Sequence, residues 1–176
     1  MKKPMGYDNA STGLWEPLEV GGHFLTILGA KETQSKSGRD MLVVQYDTSS
    51  KDKQPAYFQS IHEEGRYYQG TSYIVLGDED WAVKGLKRFL TAVAESNPGF
   101  EFDWDNPNCL KGKSVGGVFG EEEYLNTNNE VRTSTKLRWW CKTDSVEGAS
   151  IPRKKELKPS TSVVEPDQDT NLPFDL

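Results

Sequence analysis

Cysteine and histidine are scarce, with two of each in 176 residues. Cys109 and Cys141 are too few for a disulfide framework or a four-thiolate zinc site, which points to reduced thiols in a cytoplasm. His23 and His62 each stand alone, without a partner at metal-ligand spacing, so neither a metal nor another cofactor is expected. Long apolar runs are also missing: nothing approaches the roughly 18 residues that a membrane span needs. The opening Met1-Lys2-Lys3-Pro4-Met5-Gly6 lacks the apolar stretch of a secretory signal. A soluble cytoplasmic protein with no membrane partner is the expectation. The hydrophobic fraction, 35%, is low against the roughly 45–50% of globular domains, which suits one domain with polar tails and argues against a two-domain enzyme.

Charge is plentiful, at 27% of residues, and sums to −6. Nucleic-acid binders are usually basic, so the total counts against one. Its distribution does not. Residues 159–176 carry four acids, no bases and three prolines, which leaves −2 for residues 1–158. Residues 131–158 hold eight bases against three acids, a local +5. The chain therefore divides into a loose leader (1–17), rich in Gly, Ser, Asn and Pro; a folded domain (18–158); and an acidic tail (159–176) too polar to offset its ordering entropy.

Within the domain, residues 23–31 and 41–47 are rich in β-branched and aromatic side chains and flank a polar turn containing Gly38, which predicts a hairpin. Residues 55–61 and 67–76 are weaker strand candidates, one of which completes the first sheet. Behind Asp78-Glu79-Asp80, the positions Ala82, Leu86, Phe89, Leu90 and Val93 recur at helical spacing until Asn97-Pro98-Gly99. Residues 113–119 form a glycine-rich strand built to curve, 121–130 a turn, and 131–143 a longer strand. Five strands with a helix between the third and fourth match an oligonucleotide/oligosaccharide-binding (OB) fold-like barrel, mainly β; another α+β arrangement reads similarly.

No catalytic residue emerges. Cys141 sits beside two tryptophans in a strand, and the glycines 112, 116, 117 and 120 lack the following helix with Lys-Ser/Thr that a phosphate loop requires. Glu121-Glu122-Glu123 reads as a solvated turn rather than a cation site. The chain is therefore expected not to be an enzyme.

The last strand is the informative one. Strict alternation places Arg132, Ser134, Lys136, Arg138, Trp140 and Lys142 on one face and Val131, Thr133, Thr135, Leu137, Trp139 and Cys141 on the other. The first set is a basic stripe ending on a flat ring, suited to phosphates and a stacked base; an ordinary solvated strand face fits it equally well. Lys31, Lys36 and Arg39 add bases at the first hairpin, a loop that flanks the ligand face of such barrels. Tyr57, Phe58, Tyr67 and Tyr68 are further candidate stacking rings. In the tail, Asp167, Asp169, Leu172, Pro173, Phe174 and Asp175 present an apolar tip on an acidic tether, a form that a basic-rimmed pocket on a partner can capture. Such a tether also suits a basic groove of its own chain.

The tail resembles that of bacterial single-stranded DNA-binding proteins, whose acidic Pro-Phe tip recruits replication and repair enzymes; here Asp175-Leu176 follows Phe174. Residues 80–158 resemble a family of small phage and prophage proteins of Gram-positive hosts, regarded as single-strand binders of replication or recombination modules. The likeness rests on Ser96-Asn97-Pro98-Gly99-Phe100, on residues 110–124 (Leu-Lys-Gly-Lys-Ser-Val-Gly-Gly-Val-Phe-Gly-Glu-Glu-Glu-Tyr) and on Ile151-Pro152-Arg153-Lys154-Lys155.

The resemblance implies a bacterial host cytoplasm and sequence-tolerant binding and protection of single-stranded DNA. Replication or recombination proteins would be partners through the tail, and homo-oligomerisation is left open. The residues expected to carry DNA binding are Lys36, Arg39, Tyr57, Arg132, Lys136, Arg138, Trp140 and Lys142. A reading from another class is an acidic interaction or inhibitor module that mimics DNA on a host enzyme.

Overall fold

The computed structural model describes residues 2–7 and 16–158. The tail residues singled out above, and Leu14 and Trp15 of the leader, lie outside the described residues. The domain is mainly β. Its elements are β1 (Gly21–Gln34), β2 (Asp40–Thr48), α1 (Tyr57–Ile61), β3 (Thr71–Val75), α2 (Asp80–Ser96), β4 (Ser114–Leu125) and β5 (Val131–Cys141). All pairings are antiparallel, in the order β3-β2-β1-β4-β5, with α2 between the third and fourth strands as expected. This is an OB-fold-like arrangement whose sheet does not close: β3 and β5 are its two edges. Among the described residues no helix is long and apolar enough to cross a membrane.

β1 shows why the sheet curls. His23, Leu25 and Ile27 point inward by simple alternation, the register then slips between Ile27 and Gly29, and Ala30 is the next buried residue. One extra residue in a strand bends it and strengthens its twist, so a single long strand serves both β4 and β2. The core inside the curl joins Leu25, Ile27, Leu42, Val44, Tyr46, Val115 and Phe119 to Phe89 and Val93 of α2. That helix packs on β3, β4 and β5 and so covers the gap between the two sheet edges.

Two local expectations are corrected and a third is extended. Residues 55–61 form a helical turn rather than a strand, because β2 supplies acceptors for its free N–H groups. Asp47 accepts from Phe58 N (2.8 Å) and Gln59 N (3.1 Å), and Thr48 Oγ1 accepts from Tyr57 N (2.8 Å). Residues 71–75 therefore complete the first sheet.

Second, the acidic run Glu121-Glu122-Glu123 is not a turn but the distal part of β4. A returning arm lies beside it where β1 has ended: Lys155 N donates to Glu121 O and Glu123 N to Lys155 O, both at 2.9 Å. Lys154 and Lys155 neutralise Glu123 and Glu122 at 3.2 and 3.3 Å. The Leu157 N–H, followed by Lys154, holds the Glu123 carboxyl below the usual range.

Third, the glycines of β4 do more than permit curvature. A Cβ on Gly116 would strike Cys141 Sγ and Val146 Cγ2, both at 2.7 Å, and one on Gly120 would meet Pro152. Gly22 of β1 is tighter than either, its Cβ position falling against the Val146 carbonyl. Residues 146–152 can lie on the strands only because these positions are bare. Gly22→Ala is accordingly expected to cost about 1–3 kcal/mol by overpacking against backbone, seen as a lowered urea midpoint with unchanged slope.

Candidate nucleic-acid interface

β5 does not keep the alternation its sequence suggests. Val118 pairs with Trp139 but Phe119 pairs with Leu137, so Arg138 is an inserted residue and every side chain beyond it changes face. Trp140 thus turns toward the core, 4.8 Å from the Phe89 ring and 5.4 Å from the Tyr46 ring, while Trp139, expected inside, is 44% exposed. The stripe Arg132 to Lys142 is therefore not one surface.

Several of its members are already engaged. Arg132 donates to Glu130 Oε2 at 2.7 Å near the hairpin tip, and the Glu130 carboxyl is held low by Asn126 and then by Arg132. Arg138 Nη2 donates to the carbonyls of Glu121 (2.7 Å) and Arg153 (3.2 Å), pinning the returning arm to the sheet. Lys136 stays exposed on the outer face. Tyr57 lies on α1, where its hydroxyl accepts from Leu18 N at 3.0 Å and its ring meets Phe58 edge-on. Burial raises that phenol's pKa, partly offset by the Leu18 N–H. Its contacts are those of a structural tyrosine.

Trp140 and Lys142 do meet other candidates for nucleic-acid contact. With α2 they line a groove of about 330 Å³, whose helical wall carries Lys84, Lys87 and Arg88. The helix places these three together because positions three and four apart share a face. Lys84 is also 2.6 Å from Asp80 Oδ2, an exposed i,i+4 pair of the kind that contributes little and is readily exchanged. Four cations and one carboxylate, that of Glu95, thus stand around a partly exposed indole, a net positive lining. Phosphates suit the rim and a base or sugar suits the floor. Cys141, also in the wall, has its thiol pushed up by burial, which lowers its nucleophilic thiolate fraction.

Sequence reasoning missed the three helical bases, although the signal was present: within residues 81–93 they fall at i, i+3 and i+4, beside rather than on the apolar face. Lys36 and Arg39 occupy the β1–β2 turn, with Lys36 exposed and Arg39 half-buried. Its guanidinium lies 5.7 Å from the ring centroid of Trp81, in the first turn of α2.

The two histidines serve other ends. His23 is fully buried, with Nδ1 2.9 Å from Asp52 Oδ2 and Nε2 donating to Glu19 O at 2.8 Å. His62 stacks edge-on against Tyr68. Among the described residues no group of three His, Cys, Asp or Glu side chains is placed to hold a metal ion. No protein-family model and no curated protein matches this chain.

Proposed function

We propose that the protein binds single-stranded DNA with little sequence preference, protecting it during phage DNA replication or recombination, and that its acidic tail recruits partner proteins. The observation that carries this reading is the groove in which Trp140 and Lys142 face Lys84, Lys87 and Arg88. A row of cations beside a ring is what sequence-tolerant binding needs, since every nucleotide has a phosphate and a π-face. The OB-fold-like sheet order and the family likeness of residues 80–158 support it further. No catalytic step is assigned to any residue.

The test is titration of the full chain with oligo-dT at about 50 mM salt, where electrostatic binding is strong. Saturable quenching of tryptophan fluorescence is expected. No change in fluorescence or in electrophoretic mobility would refute the proposal.

One observation favours the reading as an interaction module. Residues 100–105 alternate aromatic and acidic side chains, and Trp104, between Asp103 and Asp105, is 71% exposed. An acidic loop presenting an indole suits a basic protein surface. A chain that ignores oligo-dT yet loses capture of such a partner on Trp104→Ala would establish that alternative.

A further inference from the structure

The stack of Arg39 on Trp81 has no part in the core, since Trp81 is 55% exposed. Large aromatic rings on a helix surface are more often turned inward, and α2 has a full apolar face of its own in Ala82, Phe89, Ala92 and Val93. Trp81 lies off that face. It precedes Lys84 by three residues and Arg88 by seven, so it continues the row of bases that forms the groove wall. From Trp81 to Thr91, which also lines the groove, the helix advances about 15 Å at 1.5 Å per residue.

The turn that brings Arg39 to the ring is itself fixed. Ser35 N donates to Arg39 O (2.8 Å), Arg39 N to Ser35 Oγ (2.9 Å) and Gly38 N to Ser35 O (2.9 Å). Gly38 takes the positive φ of 84° that closes it. A rigid turn thus sets a guanidinium against an indole at one end of a basic helical row, and Trp140 with Lys142 stands at the other.

We propose that Trp81, held by Arg39, is a second stacking platform for the same single strand, which runs along α2 from the β1–β2 turn to Trp140. This rests on the single-strand reading above and gives the strand's path and the least length it must have. The helix, rather than the outer faces of β2 and β3, is then the main track. Arg39 and the exposed Lys36 supply phosphate contacts at the Trp81 end.

The experiment compares the full chain with Trp81→Ala and Trp81→Phe across oligo-dT lengths from two nucleotides upward. Oligonucleotides too short to span the helix should bind all three proteins alike. Once the length suffices to reach both rings, Trp81→Ala should bind roughly tenfold or more weakly, and Trp81→Phe should recover most of the loss because a ring is kept. The Phe variant also guards against misfolding, since it preserves the aromatic partner of Arg39. Equal affinity of Trp81→Ala and the unsubstituted chain for long oligonucleotides would overturn the second platform and leave the single-strand reading intact. Failure of the unsubstituted chain to bind any length would overturn both.

Discussion

Reversing Lys87, Arg88 and Lys142 together to glutamate is expected to weaken oligo-dT binding at about 50 mM salt by roughly a hundredfold or more, while the fold survives. The three side chains meet only through the packing of α2 on the end of β5, and Lys87 and Arg88 are solvent-exposed, so their replacement removes no core contact. Local potential in the groove changes sign, and a strand that exchanged counterions for these cations would now meet three carboxylates. Arg132→Gln supplies the contrast. Its guanidinium lies near the hairpin tip beside Glu130 and outside the groove, so its loss should change affinity less than about threefold. A stripe running the whole length of β5 predicts the opposite ranking. Paired titrations of the two variants, each checked by circular dichroism, decide between helix and strand as the basic wall.

The second large effect concerns stability. Asp52→Ala should destabilise the domain by about 3–5 kcal/mol, because it leaves fully buried His23 without its carboxylate partner. The same carboxylate accepts from Phe24 N at 2.8 Å through Oδ1 and from Gln54 N at 3.0 Å through Oδ2, so three donors would lose their acceptor. Burial by itself pushes the Asp52 carboxyl up; the hydrogen bonds from His23, Gln54 N and Phe24 N outweigh it and hold the pKa below the ordinary 3.8. A depressed carboxyl stabilises the fold most fully above its unfolded value. That contribution is lost as the pH falls from about 3.8 through the lower folded value. Urea midpoints measured from pH 7 down to pH 2 should therefore fall less steeply at the acid end in Asp52→Asn than in the unsubstituted chain. Parallel curves would show that another group carries the acid limb.

The architecture was legible wherever one local pattern governed a segment. β1 and α2 announce themselves because apolar residues recur every second or every third-to-fourth position and each buries one face; β2 does so by its run of β-branched and aromatic residues, buried on both faces, and β4 by its glycines. What failed to show were features set by residues distant in the chain. The helical turn at 57–61 depends on Asp47 and Thr48, about ten residues upstream, which accept its free N–H groups. Glu121 to Glu123 read as a turn because their neutralising partners, Lys154 and Lys155, lie some thirty residues later.

The candidate site was legible in its chemistry and misplaced in its geometry. Trp140 and Lys142 do share one groove, but an inserted residue leaves no mark in an alternating pattern, so the sequence places Arg138 on the basic stripe whereas it forms the bulge that reverses Trp139 and Trp140. The bases of α2 were readable from helical spacing alone. They flank an apolar face that supplies the stronger periodic signal in that segment.

The central claim is that a cation-lined groove between α2 and β5 binds single strands through their phosphates. The salt dependence of oligo-dT affinity tests it most directly. With Lys84, Lys87, Arg88 and Lys142 each neutralising one phosphate, log K for oligonucleotides too short to reach Lys36 and Arg39 should fall against log salt with a slope of about −3, and the triple reversal should abolish most of that slope. Binding that is indifferent to salt, or a slope that the triple reversal leaves unchanged, would contradict the account.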